Sequence, residues 1–378
     1  MPPMLPARAF SALRLADVLP SCLAAITGEG NTLGLPPVAR AVVVLVDGLG
    51  AGVIKARAGH ARFLSSRMDR RSVIETVFPA TTAAGIATLA TGVEPGRHGL
   101  VGYRVLDAAG DRVVNQLTGW DAGMDPASWQ RMPTVFEQAA EAGVPSFSVG
   151  AARFASSGFT HAVLRGSEYV AAESLGDRFD AARRILRTHD RALIYVYVAE
   201  LDVAAHARGW ESDRWLGELE ALDAELSRFA ASLGADDGLL VTADHGVLDV
   251  PAEKHIFFDT VPQLVAGVRH IGGDPRCLQL YLEPGVSATG VAENWRAVEG
   301  ERAWVLTREE AVDAGLFGHV DEAVLPRIGD VIVSARKRVA YYDSREPDSS
   351  AQRMVGQHGA LTDEELRVPL VRAGAFAR

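Results

Sequence analysis

Apolar residues in this chain fall into short unbroken runs and longer amphipathic stretches. Residues 41–46 (AVVVLV), 193–198 (LIYVYV) and 239–242 (LLVT) are unbroken and rich in β-branched side chains. Such runs suit strands covered on both faces, as in a parallel sheet, whereas a half-exposed strand alternates. Residues 175–188 and 213–233 repeat apolar positions at helical spacing and predict amphipathic helices. Further helices are predicted over 13–26, 83–90 and 134–142, and further strands over 72–78 (SVIETVF) and 146–149. Strands alternating with helices predict βαβ units on a mostly parallel sheet.

The texture changes near residue 262. Short strand-like runs at 278–282, 303–306 and 331–333 are separated by helical stretches at 288–298 and 308–314. The expected organisation is therefore a core from 1–261 and 343–378, interrupted by a smaller α+β insertion over 262–342. A polar run (DSREPDSSAQR, 343–353) leads back into the core, where ELRVPLVRAG supplies one more short strand.

The stretch 78–103, FPATTAAGIATLATGVEPGRHGLVGY, carries the first chemical signal. Pro79 ends an extended run, and Thr81 and Thr82 stand at or just before the start of a small-residue helix. Unpaired N–H groups and the dipole at a helix N-terminus favour an anion. Threonine is also a preferred N-cap, so these residues alone leave capping and nucleophilic roles both open.

The second signal is a set of acids and histidines. Asp47, Asp202 and Asp244 each follow one of the buried apolar runs, where open α/β sheets bind ligands. His206 lies four residues after Asp202, His245 is adjacent to Asp244, and His358 sits in a Gly-Gln-His-Gly turn. One such acid is explained by capping, and one such histidine by packing. Six groups in this pattern instead point to a metal centre of carboxylates and imidazoles, suited to zinc, with manganese or iron as alternatives.

Composition narrows the partners. With 378 residues and 48% hydrophobic content, the chain can bury a large core. A formal net charge of -10 argues against a stable nucleic-acid complex, which needs basic patches. Bound cations can still draw a small anionic substrate. Cys22 and Cys277 form no CxxC pair and are expected to be two buried free thiols in a reducing compartment. Arg8, Arg14 and Asp17 break the apolar runs near the start, so no signal peptide is expected; no stretch is long and apolar enough to span a bilayer. The expected location is the cytoplasm, without membrane association.

Taken together, VLVDGLG, FPATTAAGIATLATGVEPGRHGLVGY, ELDVAAH, TADHGVLDV and GQHG resemble the ordered motifs of the alkaline phosphatase superfamily. The resemblance is to its nucleotide pyrophosphatase/phosphodiesterase (type I phosphodiesterase) branch. It runs from about residue 40 to 250 and resumes near 355. It implies a three-layer α/β/α core, and two divalent metal ions, usually zinc. One ion would be held by Asp47, Asp244, His245 and the nucleophile, the other by Asp202, His206 and His358. Counting back from Thr91-Gly92 to Phe78-Pro79 puts the family nucleophile on Thr82 rather than Thr81. The implied reaction is hydrolysis of a small phosphodiester or pyrophosphate through a phosphothreonine on Thr82.

The chain also departs from that branch. An aromatic and then Pro-Asn typically follow the nucleophile, where this sequence has Ala83, Ala84 and Gly85. Phe154, Phe159 and Tyr169 are available as replacement aromatics, although packing under a loop is the favoured expectation for them. His60, His98 and His161 read as structural or solvent-facing, and Lys254-His255 as a lesser candidate for touching substrate. The alternative activities on the same core are a phosphomonoesterase and a phosphonoacetate-type C–P hydrolase. A phosphate-transferring mutase is disfavoured by Thr82, because mutases of the superfamily generally carry Ser there.

Overall fold

The computed structural model describes residue 5 and residues 13–69, 71–121, 123–346 and 351–377. Arg8 and residues 347–350 of the polar run lie outside the described residues. The core begins with α1 (Val18–Thr27), β1 (Arg40–Val46), α2 (Thr82–Thr91) and α3 (Val135–Glu141). It continues through β2 (Ser146–Gly150), β3 (Glu168–Ala171), α4 (Leu175–Thr188), β4 (Ala192–Val198), α5 (Glu200–Arg208), α6 (Asp213–Ala231) and β5 (Asp237–Thr242). Then come β6 (Val268–Asp274), β7 (Cys277–Leu282), α7 (Ala288–Glu299), β8 (Ala303–Thr307) and β9 (Val331–Ala335), before β10 (Val371–Gly374) returns to the core.

The main sheet has the order β10-β5-β1-β4-β2-β3. All neighbours are parallel except β10, which runs antiparallel to β5 at the edge. Central β1 is covered on both faces, and Ala41 through Val46 are all fully buried. Each buried valine contributes roughly 1.5–3 kcal/mol as an upper value. An Asp in place of Val44 would leave a charge there without a partner, which this strand has no means to compensate. Helices α1, α2 and α3 pack together in one layer, while α4 and α6 pack together in another. The result is a three-layer α/β/α core.

Register aligns the strand ends. Val46 of β1 lies opposite Val198 of β4, and Leu45 lies opposite Thr242 of β5. The chain therefore leaves three adjacent strands at one edge of the sheet. β6 to β9 form a separate antiparallel sheet, in the order β6-β7-β9-β8, with its own apolar core around Trp295, Phe258, Tyr341, Val305 and Val333. This smaller lobe is fastened to the core by Gln279, whose amide donates to the Val101 carbonyl at 2.8 Å. Arg327 adds to the join by donating to the carbonyls of Gly99 and Trp129 and stacking over the Trp129 ring.

Three elements differ from the sequence expectation. The strand over 72–78 is reduced to Val73–Glu75 and pairs with Arg367–Pro369 outside the main sheet. The 365–374 segment makes two strands, because the chain passes from that small pairing to the main sheet at Leu370. β3 arises where the sequence pattern predicts no element, as a short edge strand with only partly covered side chains.

Candidate active site

Helix α2 is built for close approach. Its small side chains bury every residue from Ala83 to Thr91, and it ends at Gly92 in the left-handed conformation (φ 69°). Gly85 permits that approach: a Cβ there would lie 2.7 Å from both the Cβ and the carbonyl oxygen of Asp244. The two threonines at its start are sorted by this packing. Thr81 is the N-cap, and its hydroxyl accepts the Ala84 N–H at 3.4 Å. Thr82 begins the helix, and its Oγ1 stands 3.1 Å from His245 Nε2.

The six acids and histidines converge as two groups. Asp47, Asp244 and His245 form one, and Asp202, His206 and His358 the other; within each, the possible ligand atoms lie within 4.8 Å of one another. Asp47 and Asp244 follow the ends of β1 and β5. Asp202 is not at a strand end: it lies in the first turn of α5, with His206 on the same helical face one turn later. His358 is brought back by a two-residue antiparallel pairing, Gly356 with Asp249 and Gln357 with Leu248, just beyond His245. The two groups meet where the His245 and His358 rings stack at 3.7 Å.

Each histidine is oriented in the same way. Nδ1 of His245 faces the Gly246 carbonyl at 3.2 Å, that of His206 the Gly356 carbonyl at 2.8 Å, and that of His358 the Ala80 carbonyl at 2.9 Å. A carbonyl only accepts, so Nδ1 carries a proton and Nε2 is turned inward, as a lone pair in His245 and His358 and as a second N–H in His206 while it is paired with Asp202. Each carboxylate is likewise half-anchored. Asp47 Oδ2 accepts the Tyr197 hydroxyl at 2.5 Å, and Asp244 Oδ1 accepts the N–H groups of Gly48 and His245. Asp202 Oδ2 meets His206 Nε2 at 3.2 Å. The remaining oxygens, Asp47 Oδ1, Asp202 Oδ1 and Asp244 Oδ2, are buried without a hydrogen-bond partner. Three inward Nε2 atoms, that of His206 once a cation displaces its proton, and three orphaned carboxylate oxygens make a donor set that fits divalent cations.

Proton affinities describe the same strain. Burial, and then the charges of Asp244 and Asp202, hold Asp47 well above the usual carboxylate range against the pull of the Tyr197 hydrogen bond. Burial and then Asp202 push Asp244 up to about 7. His245 is driven down to about 3 by burial, and burial followed by His245 holds His358 well below the ordinary imidazole value. Burial opposes the charged forms of Asp202 and His206 too, but their mutual attraction prevails, lowering Asp202 and raising His206 to about 9.

A cavity of 580 Å³ opens beside Thr82. Phe154, Phe159 and Tyr169 line it, together with Trp120, Tyr197 and Arg153, while Phe159 also packs against the main core and the Tyr169 hydroxyl donates to the Ala151 carbonyl. Arg153 lies over the Phe154 ring, and that ring meets Tyr197 edge-on at 5.8 Å. The other singled-out histidines are elsewhere. His98 is buried against Thr88, His60 pairs with Glu220 at the surface, and His161 is exposed. Lys254 and His255 line a separate groove with Arg302 and Arg338. Cys22 and Cys277 are buried and free. No helix of the described residues is long and apolar enough to cross a membrane.

Two contributors had escaped the sequence reading. Tyr197 anchors Asp47, and the Thr76 hydroxyl donates to the Asp244 carbonyl. The available signal was a tyrosine inside a buried strand, whose hydroxyl needs a partner. Thr76 carried no such signal.

Comparison with known proteins agrees with this arrangement. A family model described as type I phosphodiesterase / nucleotide pyrophosphatase matches residues 41–361. Murine ectonucleotide pyrophosphatase/phosphodiesterase 5 has a similar fold, with a TM-score of 0.69 and 18% identity over 88% of each chain. Phosphonoacetate hydrolase from Sinorhizobium meliloti 1021, in complex with phosphonoformate, is similar at a TM-score of 0.69 and 20% identity, over 89% of this chain and 91% of that one. A phosphopentomutase from Kosmotoga olearia is 30% identical over 135 residues, 36% of this chain and 33% of its own length. The match thus spans about a third of that curated relative.

Proposed function

The chain belongs to the type I phosphodiesterase / nucleotide pyrophosphatase family of metal-dependent hydrolases, and from that premise we propose that it cleaves phosphodiester or pyrophosphate bonds through a phosphothreonine on Thr82. Asp47, Asp244 and His245, with Thr82, would hold one divalent cation, and Asp202, His206 and His358 the other. Zinc is the proposed metal. Bound there, such cations supply Lewis acidity that favours the ionised Thr82 hydroxyl and offsets charge on the phosphoryl oxygens. The observation that carries this reading is that the three histidines, each held by a carbonyl at Nδ1, gather in two groups with three carboxylate oxygens that have no hydrogen-bond partner.

Thr82 Oγ1 bonds to phosphorus as the bond to the leaving oxygen breaks, and water then displaces Thr82 from phosphorus. The Ala84 N–H is taken by the Thr81 cap, and the Thr82 and Ala83 N–H groups that open α2 favour the negative charge that develops there. The cavity lined by Trp120, Phe154, Phe159 and Tyr169 accepts an apolar or aromatic ester group, in place of a clamp at Ala83. Residues 262–342 act as the specificity cap. The two buried thiols favour a cytoplasmic location.

The test is hydrolysis of bis(p-nitrophenyl) phosphate beside p-nitrophenyl phosphate by the zinc-loaded protein. Diester preference, abolished by EDTA, is expected; monoester preference would move the protein to the phosphatase alternative. A phosphonoacetate-type C–P hydrolase is the second reading, favoured by the likeness to the S. meliloti enzyme. It is checked by release of phosphate from phosphonoacetate.

A further inference from the structure

A second cavity, of 210 Å³, lies between the hairpin that carries Arg104–Asp107 and Arg112–Asn115 and the start of the smaller sheet. Tyr103, Arg104, Asn115, Asp274 and Tyr342 are among its lining residues. Asp274, the last residue of β6, is only 6% exposed. Its Oδ1 accepts the Arg276 N–H at 3.3 Å, whereas Oδ2 is buried without a hydrogen-bond partner. A buried polar atom left in that state destabilises the fold unless something binds it. The turn carrying His358 presses against the same carboxyl: a Cβ at Gly359 (φ +126°) would fall 2.1 Å from Asp274 Oδ1. The smaller lobe thus sets an unpartnered carboxyl one residue from the proposed metal centre.

Asn115 keeps its side-chain oxygen on the N–H groups of Leu117 and Thr118, at 2.9 and 3.1 Å, which leaves Nδ2 as its remaining donor. Arg104 pairs with Glu346 at 2.8 Å. We propose that this cavity is a subsite for a small uncharged polyhydroxy group, a glycerol or sugar unit, attached to the substrate's phosphoryl centre, with Asp274 and Asn115 as its hydrogen-bonding partners. This rests on the hydrolase reading above. The volume is below the ~300–1,000 Å³ of a whole-ligand pocket and suits one part of a substrate. Arg104 disfavours a cation, and the carboxyls of Asp274, Asp343 and Glu346 disfavour a second anion.

The test is calorimetric titration of the zinc-loaded protein with glycerol 3-phosphate and with methyl phosphate. Wild-type protein is expected to bind glycerol 3-phosphate about 10-fold more tightly, the worth of one or two neutral hydrogen bonds. Asp274→Leu should remove the preference and Asp274→Asn should keep most of it, while Asn115→Ala should lower it about 3-fold. Equal affinities in the wild type, no measurable binding of either ligand, or a preference untouched by both Asp274→Leu and Asn115→Ala overturns the subsite. Because binding is the readout, absence of diester turnover counts against the hydrolase reading alone.

Discussion

The two ligand groups use the same side-chain chemistry and solve opposite electrostatic problems. Asp47, Asp244 and His245 are fully enclosed, with exposures of 3%, 0% and 0%. Neither acid finds a cation, and the imidazole is held neutral, so both carboxyls retain protons to unusually high pH. In the other group, Asp202 and His206 form an internal ion pair at 3.2 Å that neutralises the acid. One group is strained until a cation enters, and the other is partly satisfied without one. The difference follows from the supporting elements. Rigid strand ends fix Asp47 and Asp244 where they repel, while one helical turn brings His206 onto Asp202.

The largest expected effect separates the two threonines beside the enclosed group. Thr82→Ala should reduce diester hydrolysis by at least ~10³-fold, as loss of a nucleophile does. Thr81→Ala should cost about 1 kcal/mol of stability as a lost N-cap, with activity within a few-fold. Steady-state rates beside thermal melts check both; a dead Thr81→Ala that folds normally would move the nucleophile by one residue.

The comparison itself is broken or sharpened in the metal-free protein. There Asp244→Asn should raise stability by about 1–3 kcal/mol at pH 8, because it removes a buried unpaired charge. Asp202→Asn should lower stability by a similar amount, because it strands His206. Denaturant unfolding after chelation reads both, and equal signs would mean that the two groups do not differ as described. With zinc restored, both variants should lose activity.

Acid should affect the groups over different ranges. Below about 7, Asp244 holds a proton that a cation must displace, and Asp47 holds one too, so affinity at that group should fall at least about 10-fold per pH unit on acidification. His206 stays protonated up to about 9, so affinity at the second group should go on rising with pH beyond the first. Competition against a chromophoric chelator from pH 5 to about pH 9 would resolve two steps, and a single step would contradict the assignment. The smallest effect is expected for Tyr197→Phe. Loss of its hydrogen bond to Asp47 should cost about 1 kcal/mol and lower activity a few-fold, read by melts and kcat/KM.

Much of this was legible in the chain because it is local. β1, β4 and β5 announce themselves as unbroken apolar runs, and Asp47, Asp244 and His245 follow two of them directly. Asp202 and His206 declare a shared face through their spacing of four. What escaped depends on non-local pairing. Nothing near His358 reveals that Gly356 and Gln357 pair with residues just beyond His245. Nothing near Gly85 tells that α2 comes within contact of Asp244, which leaves no room for a side chain. The aromatic cavity escaped for the same reason: Phe154, Phe159 and Tyr169 lie in a stretch without periodicity, and only folding gathers them beside Thr82.

The most direct test of the central claim, displacement at phosphorus by Thr82, is the stereochemical course of hydrolysis. One enantiomer of a chiral p-nitrophenyl phosphorothioate diester would be hydrolysed in isotopically labelled water and the configuration of the product determined. Retention is expected, because attack by Thr82 and then by water inverts phosphorus twice. Inversion would mean that water attacks directly, and would contradict the phosphothreonine.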